Sequence, residues 1–261
     1  MRGCVPRTIW RRLHPTGTWT LRAPDGSPFL YASEADDILA RSLVWTNMRH
    51  WEETTHPVFF DLARRARGFV DIGAFSGFYT LLACRANPQL RAVAVEPNPA
   101  SMRKLRRNIE VNGFQDRVAV VGKALSSTPG RARLGIPAAD VTAASLLAEG
   151  PEIRTMEVDV TTGDDVIGDL PVDLVKIDVE GLEPEVLRGM SRTIAAHHPA
   201  IIAECLSQAA LERLRETAFE LGYRQIHHLS KSGPVAVSAP LEPPPCYANF
   251  LVTSDGSAVP V

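Results

Sequence analysis

The sequence predicts an α/β fold: a mostly parallel sheet with helices on both faces and a small cap at the amino-terminal end. Three stretches lead there, FVDIGAFSGFYT at 69–80, AVEPNP at 94–99 and VDLVKIDVEGLE at 172–183. Each reads as an apolar strand that ends in an acid and turns into a helix, the repeating unit of an open parallel sheet.

The first stretch organises the rest. Gly68-Phe69-Val70 runs into Asp71, Gly73 and Gly77 follow, and Phe78, Leu81 and Leu82 then recur at helical spacing. Gly73 permits backbone angles that a Cβ forbids and lets the chain approach a ligand closely. Gly77 lets the new helix pack against the strand. Asp71 stands at the carboxyl end of its strand, where open α/β sheets bind ligands. The spacing is Asp-x-Gly-x-x-x-Gly, not the Gly-x-Gly-x-x-Gly of dinucleotide enzymes, and points to a ligand with an ammonium group and no pyrophosphate.

Strand two, Arg91 to Val95, ends in Glu96-Pro97-Asn98, with Glu96 25 positions after Asp71. An acid about 20 residues beyond a glycine turn can hydrogen-bond ribose hydroxyls. Asn98 caps the next helix with Pro99 at its first position, Met102, Leu105 and Ile109 form its buried stripe, and Asn112-Gly113 stops it. A carboxylate for an amino-acid ammonium and another for a ribose together describe S-adenosylmethionine.

Strand four, Val172 to Val179, carries Lys176 and Asp178, which are two apart and so project to one side. Burying a lysine beside an aspartate is expensive unless the two pair or serve a site. A structural ion pair and a functional pair both fit; the matching strand-end acids Asp71 and Glu96 favour the second. Gly181 permits the turn, and Val186, Leu187 and Met190 begin a helix. Strand five, Ala200 to Ala203, ends in another acid, Glu204, whose alternatives are a catalytic role and a bond to a neighbouring loop.

Strand three is Val118 to Val121, followed by Gly122–Ser126, where Ala124 is placed to meet an adenine through its backbone. Arg131 to Ile136 and Thr155 to Val160 read as two extra strands. The small-residue linker between them, Pro137 to Gly150, holds Thr142 and Ser145, which would line a substrate mouth or lie on a plain surface loop. A helical stripe of Leu211, Leu214, Ala218 and Leu221 precedes strand six, Tyr223 to Leu229, and a last strand, Tyr247 to Val252; Pro234 to Pro245 reads as a loop. Residues 1–56 form the cap, with a hairpin from Thr18–Leu21 and Phe29–Tyr31. Ser33 and Asp36 there resemble a capping box for a helix with Ile38, Leu39 and Leu43. Trp45, Trp51 and His56 either contact substrate or pack the cap onto residues 57–261, whose first helix spans about Pro57 to Arg65.

At 261 residues, 45% hydrophobic and 22% charged, the composition is that of a soluble globular chain. The net charge of -2 argues against a nucleic-acid partner. No secretory signal or membrane span is read, and Cys4, Cys84, Cys205 and Cys246 stand far apart, so reduced thiols and a cytoplasmic location are expected. His197-His198 and His227-His228 lack metal-ligand spacing.

Together FVDIGAFSGFYT, AVEPNP, VKIDVEG with Glu183, and PAIIAE at 199–204 resemble the FkbM family of S-adenosylmethionine-dependent methyltransferases. The resemblance covers about residues 57–252. It implies the Rossmann-like class I methyltransferase fold, a seven-stranded sheet with its last strand antiparallel, and O-methylation of a sugar, polyketide or other specialised-metabolite hydroxyl. Cofactor contacts are expected from Asp71, Gly73, Ala74, Gly77, Glu96, Pro97, Asn98, Ala124 and Asp178. Asp178 is the first candidate base, with Glu180 and Glu204 behind it, and Lys176 either orients it or lowers the pKa of the acceptor hydroxyl. No metal ligands are assigned; a magnesium-type cation held by Asp159, Asp178 and Glu204 is a lesser alternative. Methylation of nitrogen or nucleic acid, a nicotinamide oxidoreductase and a non-catalytic cofactor-binding module are the competing readings. The acceptor and the oligomeric state, with a dimer among the alternatives, are left open.

Overall fold

The computed structural model describes residues 13–137, 144–148, 150–237 and 248–254. Cys4, Thr142, Cys246 and Tyr247 lie outside them. The chain opens with the expected hairpin, β1 (Gly17–Arg22) and β2 (Pro28–Ser33), then α1 (Ile38–Thr46) and α2 (Thr55–Ala63). The capping box at Ser33 does not form. The Ser33 hydroxyl donates to the Pro15 carbonyl at 2.7 Å, and Asp37 caps α1 by accepting from the Ala40 amide at 3.1 Å.

The βα units follow: β3 (Gly68–Ile72), α3 (Phe78–Ala86), β4 (Arg91–Val95), α4 (Pro99–Val111) and β5 (Val118–Val121). Next come β6 (Ala124–Leu125), β7 (Gly130–Pro137), β8 (Ile153–Thr161) and α5 (Gly163–Ile167). The chain continues through β9 (Leu174–Ile177), α6 (Glu183–Arg188), α7 (Ser191–His197), β10 (Ala200–Cys205) and α8 (Gln208–Glu220). It ends with β11 (Gln225–Ser230), β12 (Gly233–Ala236) and β13 (Ala248–Thr253).

The large sheet has the order β12-β11-β13-β10-β9-β3-β4-β5. From β10 to β5 its strands are parallel, and β13 runs antiparallel to both β10 and β11. Seven strands therefore stand as the resemblance implied. The eighth, β12, corrects both the seven-strand count and the reading of Pro234 onward as a loop. It pairs with β11 at the edge, where a proline removes no ladder bond that the sheet needs. The two extra strands β7 and β8 join β6 in a separate three-stranded sheet.

Alternation along β3 sends Phe69 into one apolar layer and Val70 and Ile72 into the other, so the sheet is buried on both faces. The first layer joins α3 and α4 to the cap through Leu21, Tyr31 and Leu43. Polar bonds fix the cap's position. On α4, Asn108 accepts from the Ala32 amide at 2.7 Å, and Asn112 bonds both the amide and the carbonyl of Leu30 at 2.8 Å. This docking explains why α4 buries Lys104 and Asn108 along with Leu105 and Ile109, while Met102 is only half-buried.

Candidate active site

The carboxyl ends of β3, β4, β9 and β10 meet at one edge of the sheet, with the start of antiparallel β13 beside them. The β3 turn is pinned to β4, because the amides of Gly73 and Ala74 both donate to the Val95 carbonyl at 3.0 Å. Gly73 has φ +79°, and a Cβ built on it would stand 1.8 Å from the Asp178 carbonyl oxygen. The close approach that demands glycine here is to the backbone after β9. The Asp178 amide in turn donates to Ile72 at 2.9 Å, so turn and acid are mutually positioned.

Two cavities meet at this point, and Gly73, Phe75 and Asp178 line both. The smaller, about 60 Å³, is walled by Glu96, Pro97, Ala124, Ser145 and Leu182. Ser145 closes it from the linker: its hydroxyl donates to the Glu180 carbonyl at 3.2 Å, and its backbone bridges to Gly135. The larger, about 630 Å³, is walled by Trp51, Glu52, Tyr79, Glu180, Glu204 and Asn249.

Both oxygens of the Glu96 carboxylate are held, by the amides of Phe75 and Asn98 at 2.8 Å each. Burial nonetheless raises its pKa to about 7. Asp71 is also raised by burial, to about 6, against the Thr80 hydroxyl, which donates to it at 2.6 Å. Lys176 is fully buried with its ammonium 3.3 Å from Asp178 and 5.3 Å from the Tyr79 ring centre. Burial opposes that charge, but the carboxylates of Asp178, Glu52 and Glu204 outweigh it and raise the lysine pKa. Glu204 is pushed well up, first by burial and then by Asp178. Glu183, the last acid of the strand-four motif, accepts the Gly181 amide at 3.0 Å and so shapes the turn.

Of the residues singled out in the sequence, Gly73, Glu96, Pro97, Ala124, Asp178, Glu180 and Glu204 lie on cavity walls. Asp71, Ala74, Gly77, Asn98 and Lys176 stand behind the walls. Gly77 packs on Leu105, and Asn98 caps α4 while its amide holds Glu96. Trp51 reaches the larger cavity, whereas Trp45 packs on Trp19 and His56 on Phe78. Asp178, Glu180 and Glu204 each offer an oxygen within 4.8 Å of the others. Asp159 does not join them: it lies on β8, exposed and paired with Arg131 at 3.4 Å. Sequence reasoning missed Glu52, Tyr79 and Asn249. The Tyr79 hydroxyl donates to Glu52 at 2.5 Å, and the Asn249 amide donates to the same oxygen at 2.8 Å. A strand-end position at Asn249, opposite Glu204 in the ladder, was the one available signal.

The family model of the methyltransferase FkbM domain matches residues 71–225, which span the glycine turn, Glu96, Asp178 and Glu204. The chain belongs to the FkbM methyltransferase family. Methyltransferase 1 of Beauveria bassiana (strain ARSEF 2860) is 34% identical over 142 residues, 46% of this chain; the match spans 57% of that relative's length. Among solved structures, an FkbM methyltransferase from Methylobacillus flagellatus KT aligns at 20% identity and TM-score 0.48, covering 71% of this chain and 43% of that one. The O-methyltransferase from Bacillus cereus in complex with SAH aligns at 15% identity and TM-score 0.46, covering 78% and 80%. For an FkbM methyltransferase the cofactor is S-adenosylmethionine, and the residues present suit it. A buried acid faces one cavity from β4, Gly73 with no Cβ lines both, and four acids line the larger. Among the described residues no helix is long and apolar enough to cross a membrane. Cys84 and Cys205 are buried free thiols.

Proposed function

We propose that this chain methylates a hydroxyl group of a small molecule, a sugar, polyketide or other specialised metabolite. The observation that carries the reading is Asp178, the one acid on the walls of both cavities, with its carboxylate held by a buried lysine. Glu96, Pro97 and Ala124 would hold the nucleoside end of the cofactor, and Asn98 and Ala74 would support them from behind. When bound, S-adenosylmethionine supplies a methyl group already activated by its positively charged sulfur.

The remaining work falls to the chain's own side chains. An acceptor hydroxyl in the larger cavity must be oriented and must give up its proton, and the Asp178 carboxylate is placed to receive it. Lys176 fixes the position of that carboxylate, with its ammonium 3.3 Å away. Burial and the neighbouring Asp178 disfavour charge on Glu204, which makes it the weaker candidate for the base and suits it to orient the acceptor. A general base of this kind contributes roughly 10²–10⁴-fold in rate.

The test is transfer of a labelled methyl group to a panel of hydroxylated metabolites, with the product's methylated atom identified by NMR. Asp178→Asn should lose about 10²-fold or more of turnover while keeping cofactor affinity. Full turnover in that variant would remove the base assignment, and a methylated nitrogen in the product would replace O-methylation with the N-methylation reading.

A further inference from the structure

We propose that Glu52, contributed by the amino-terminal cap, is the carboxylate that receives the α-ammonium of the cofactor's amino-acid end. This rests on the cofactor reading above. The position expected for that role, Asp71, is 2% exposed, is engaged by the Thr80 hydroxyl and lies on neither cavity wall. Asp178 does face the cavity, but its carboxylate is already in a direct ion pair with the Lys176 ammonium at 3.3 Å. Glu204 stands beside Asp178, which disfavours a second charge there. Glu52 shares the larger cavity with Gly73 and Phe75 of the turn.

Its setting is that of a built receptor. Tyr79 in the first turn of α3 and Asn249 at the start of β13 donate to one oxygen of Glu52, Oε2. Both donors are neutral and orient the carboxylate, while the Lys176 ammonium acts on it through space and makes its ion pair with Asp178. In this reading the other oxygen, Oε1, takes the ammonium. The segment that presents Glu52 is held in an unfavourable backbone: Asn47, Met48 and Glu52 have φ of 50°, 70° and 39°. Non-glycine residues keep such angles where the surroundings over-determine them, which is common at ligand clamps. The neighbouring Glu53 pairs with Lys231 at 3.2 Å and pins the segment to the end of β11. Burial raises the Glu52 pKa, a penalty that a bound cation would offset.

The experiment is calorimetric titration of the whole chain with two probes. S-adenosylhomocysteine carries the amino-acid end, and 5′-methylthioadenosine lacks it. The wild-type protein should bind the first more tightly, and Glu52→Gln should weaken it about tenfold or more, as expected for a lost charge-assisted bond. Affinity for 5′-methylthioadenosine should stay within about twofold, which also shows that the variant is folded and its nucleoside site intact. Unchanged affinity for S-adenosylhomocysteine in the variant overturns the proposal. Equal losses for both probes also overturn it and make Glu52 a structural tie. If the wild-type protein binds neither probe, the cofactor reading itself falls, and the proposal falls with it.

Discussion

Replacing Gly73 with alanine should separate the turn from the acid it supports. The new Cβ would lie 1.8 Å from the Asp178 carbonyl oxygen and 2.9 Å from its carbon. An ordinary contact is roughly 3.5 Å, so the Asp178 backbone must recede by about 1.5 Å. That movement strains the Asp178 amide bond to Ile72, worth about 1 kcal/mol. Alanine at φ +79° adds about 1–2 kcal/mol, and overpacking adds about 1–3 kcal/mol. The sum, about 3–6 kcal/mol, is a large part of the roughly 5–15 kcal/mol that holds a domain folded. A displacement of about 1 Å at a reacting group costs on the order of 100-fold in rate. Urea denaturation and methyl transfer should both be measured, with Gly77→Ala beside them. At Gly77 the Cβ meets the end of the Leu105 side chain at 2.5 Å, which can move more readily than backbone, so the loss should be smaller and Asp178 undisturbed. A Gly73→Ala protein within about 1 kcal/mol of wild type and fully active would refute the coupling of turn to acid.

Two further outcomes follow from the electrostatics. If Glu96 holds the ribose as proposed, it would accept the hydroxyls best as a carboxylate, so cofactor affinity should rise between pH 6 and 8 through its pKa of about 7, and Glu96→Gln should flatten that dependence. The same shift has the opposite sign for stability. The folded pKa is raised from 4.5 to about 7, so the contribution is full below 4.5 and about 3 kcal/mol of it is lost by pH 7; urea titration of the ligand-free protein against Glu96→Gln reads this difference. Turnover should survive EDTA, because the Lys176 ammonium already neutralises part of the Asp178, Glu180 and Glu204 cluster and Asp159 is not among them. Loss of turnover on chelation, restored by magnesium, would refute that.

The parallel strands were legible because each is a short apolar run closed by an acid or a turn. β4 and β5 have the bounds that their residues announce. What the pattern could not show is what depends on partners far away in sequence. Ser33 and Asp37 are both plausible caps, and the choice falls to Asp37 because the Ser33 hydroxyl is taken by Pro15. Asn112 reads as a helix stop, and it is one, but its side chain also completes the edge of β2 82 residues away. Asp71 was placed at the right end of the right strand. Whether it faces the cavity or the helix behind it is decided by Thr80, a local residue with no pattern to mark it. Glu52 and Asn249 are 197 residues apart and carry no shared motif. β12 was hidden by its proline, a residue that argues against a strand except at an edge.

Polar bonds tie the amino-terminal hairpin and α1 to the glycine turn. Tyr31 of β2 bonds Asp37 at 2.8 Å and Ser76 at 2.6 Å, and Ser76 sits inside the glycine turn. Asn108 of α4 holds the Ser76 carbonyl at 2.9 Å and the cap's Ala32 amide as well. Glu52 then reaches the first turn of the helix that follows, α3, through Tyr79. A cap gripped at both flanks of the turn cannot lift without loosening the turn that backs Asp178. Any ligand that requires the turn in this conformation must therefore stabilise the cap, and any change that stabilises the cap must tighten that ligand by the same free energy. Packing alone would ask only for apolar contacts between cap and sheet. The buried polar bonds converging on Ser76 and Tyr79 add geometric precision at the one turn that separates the two cavities.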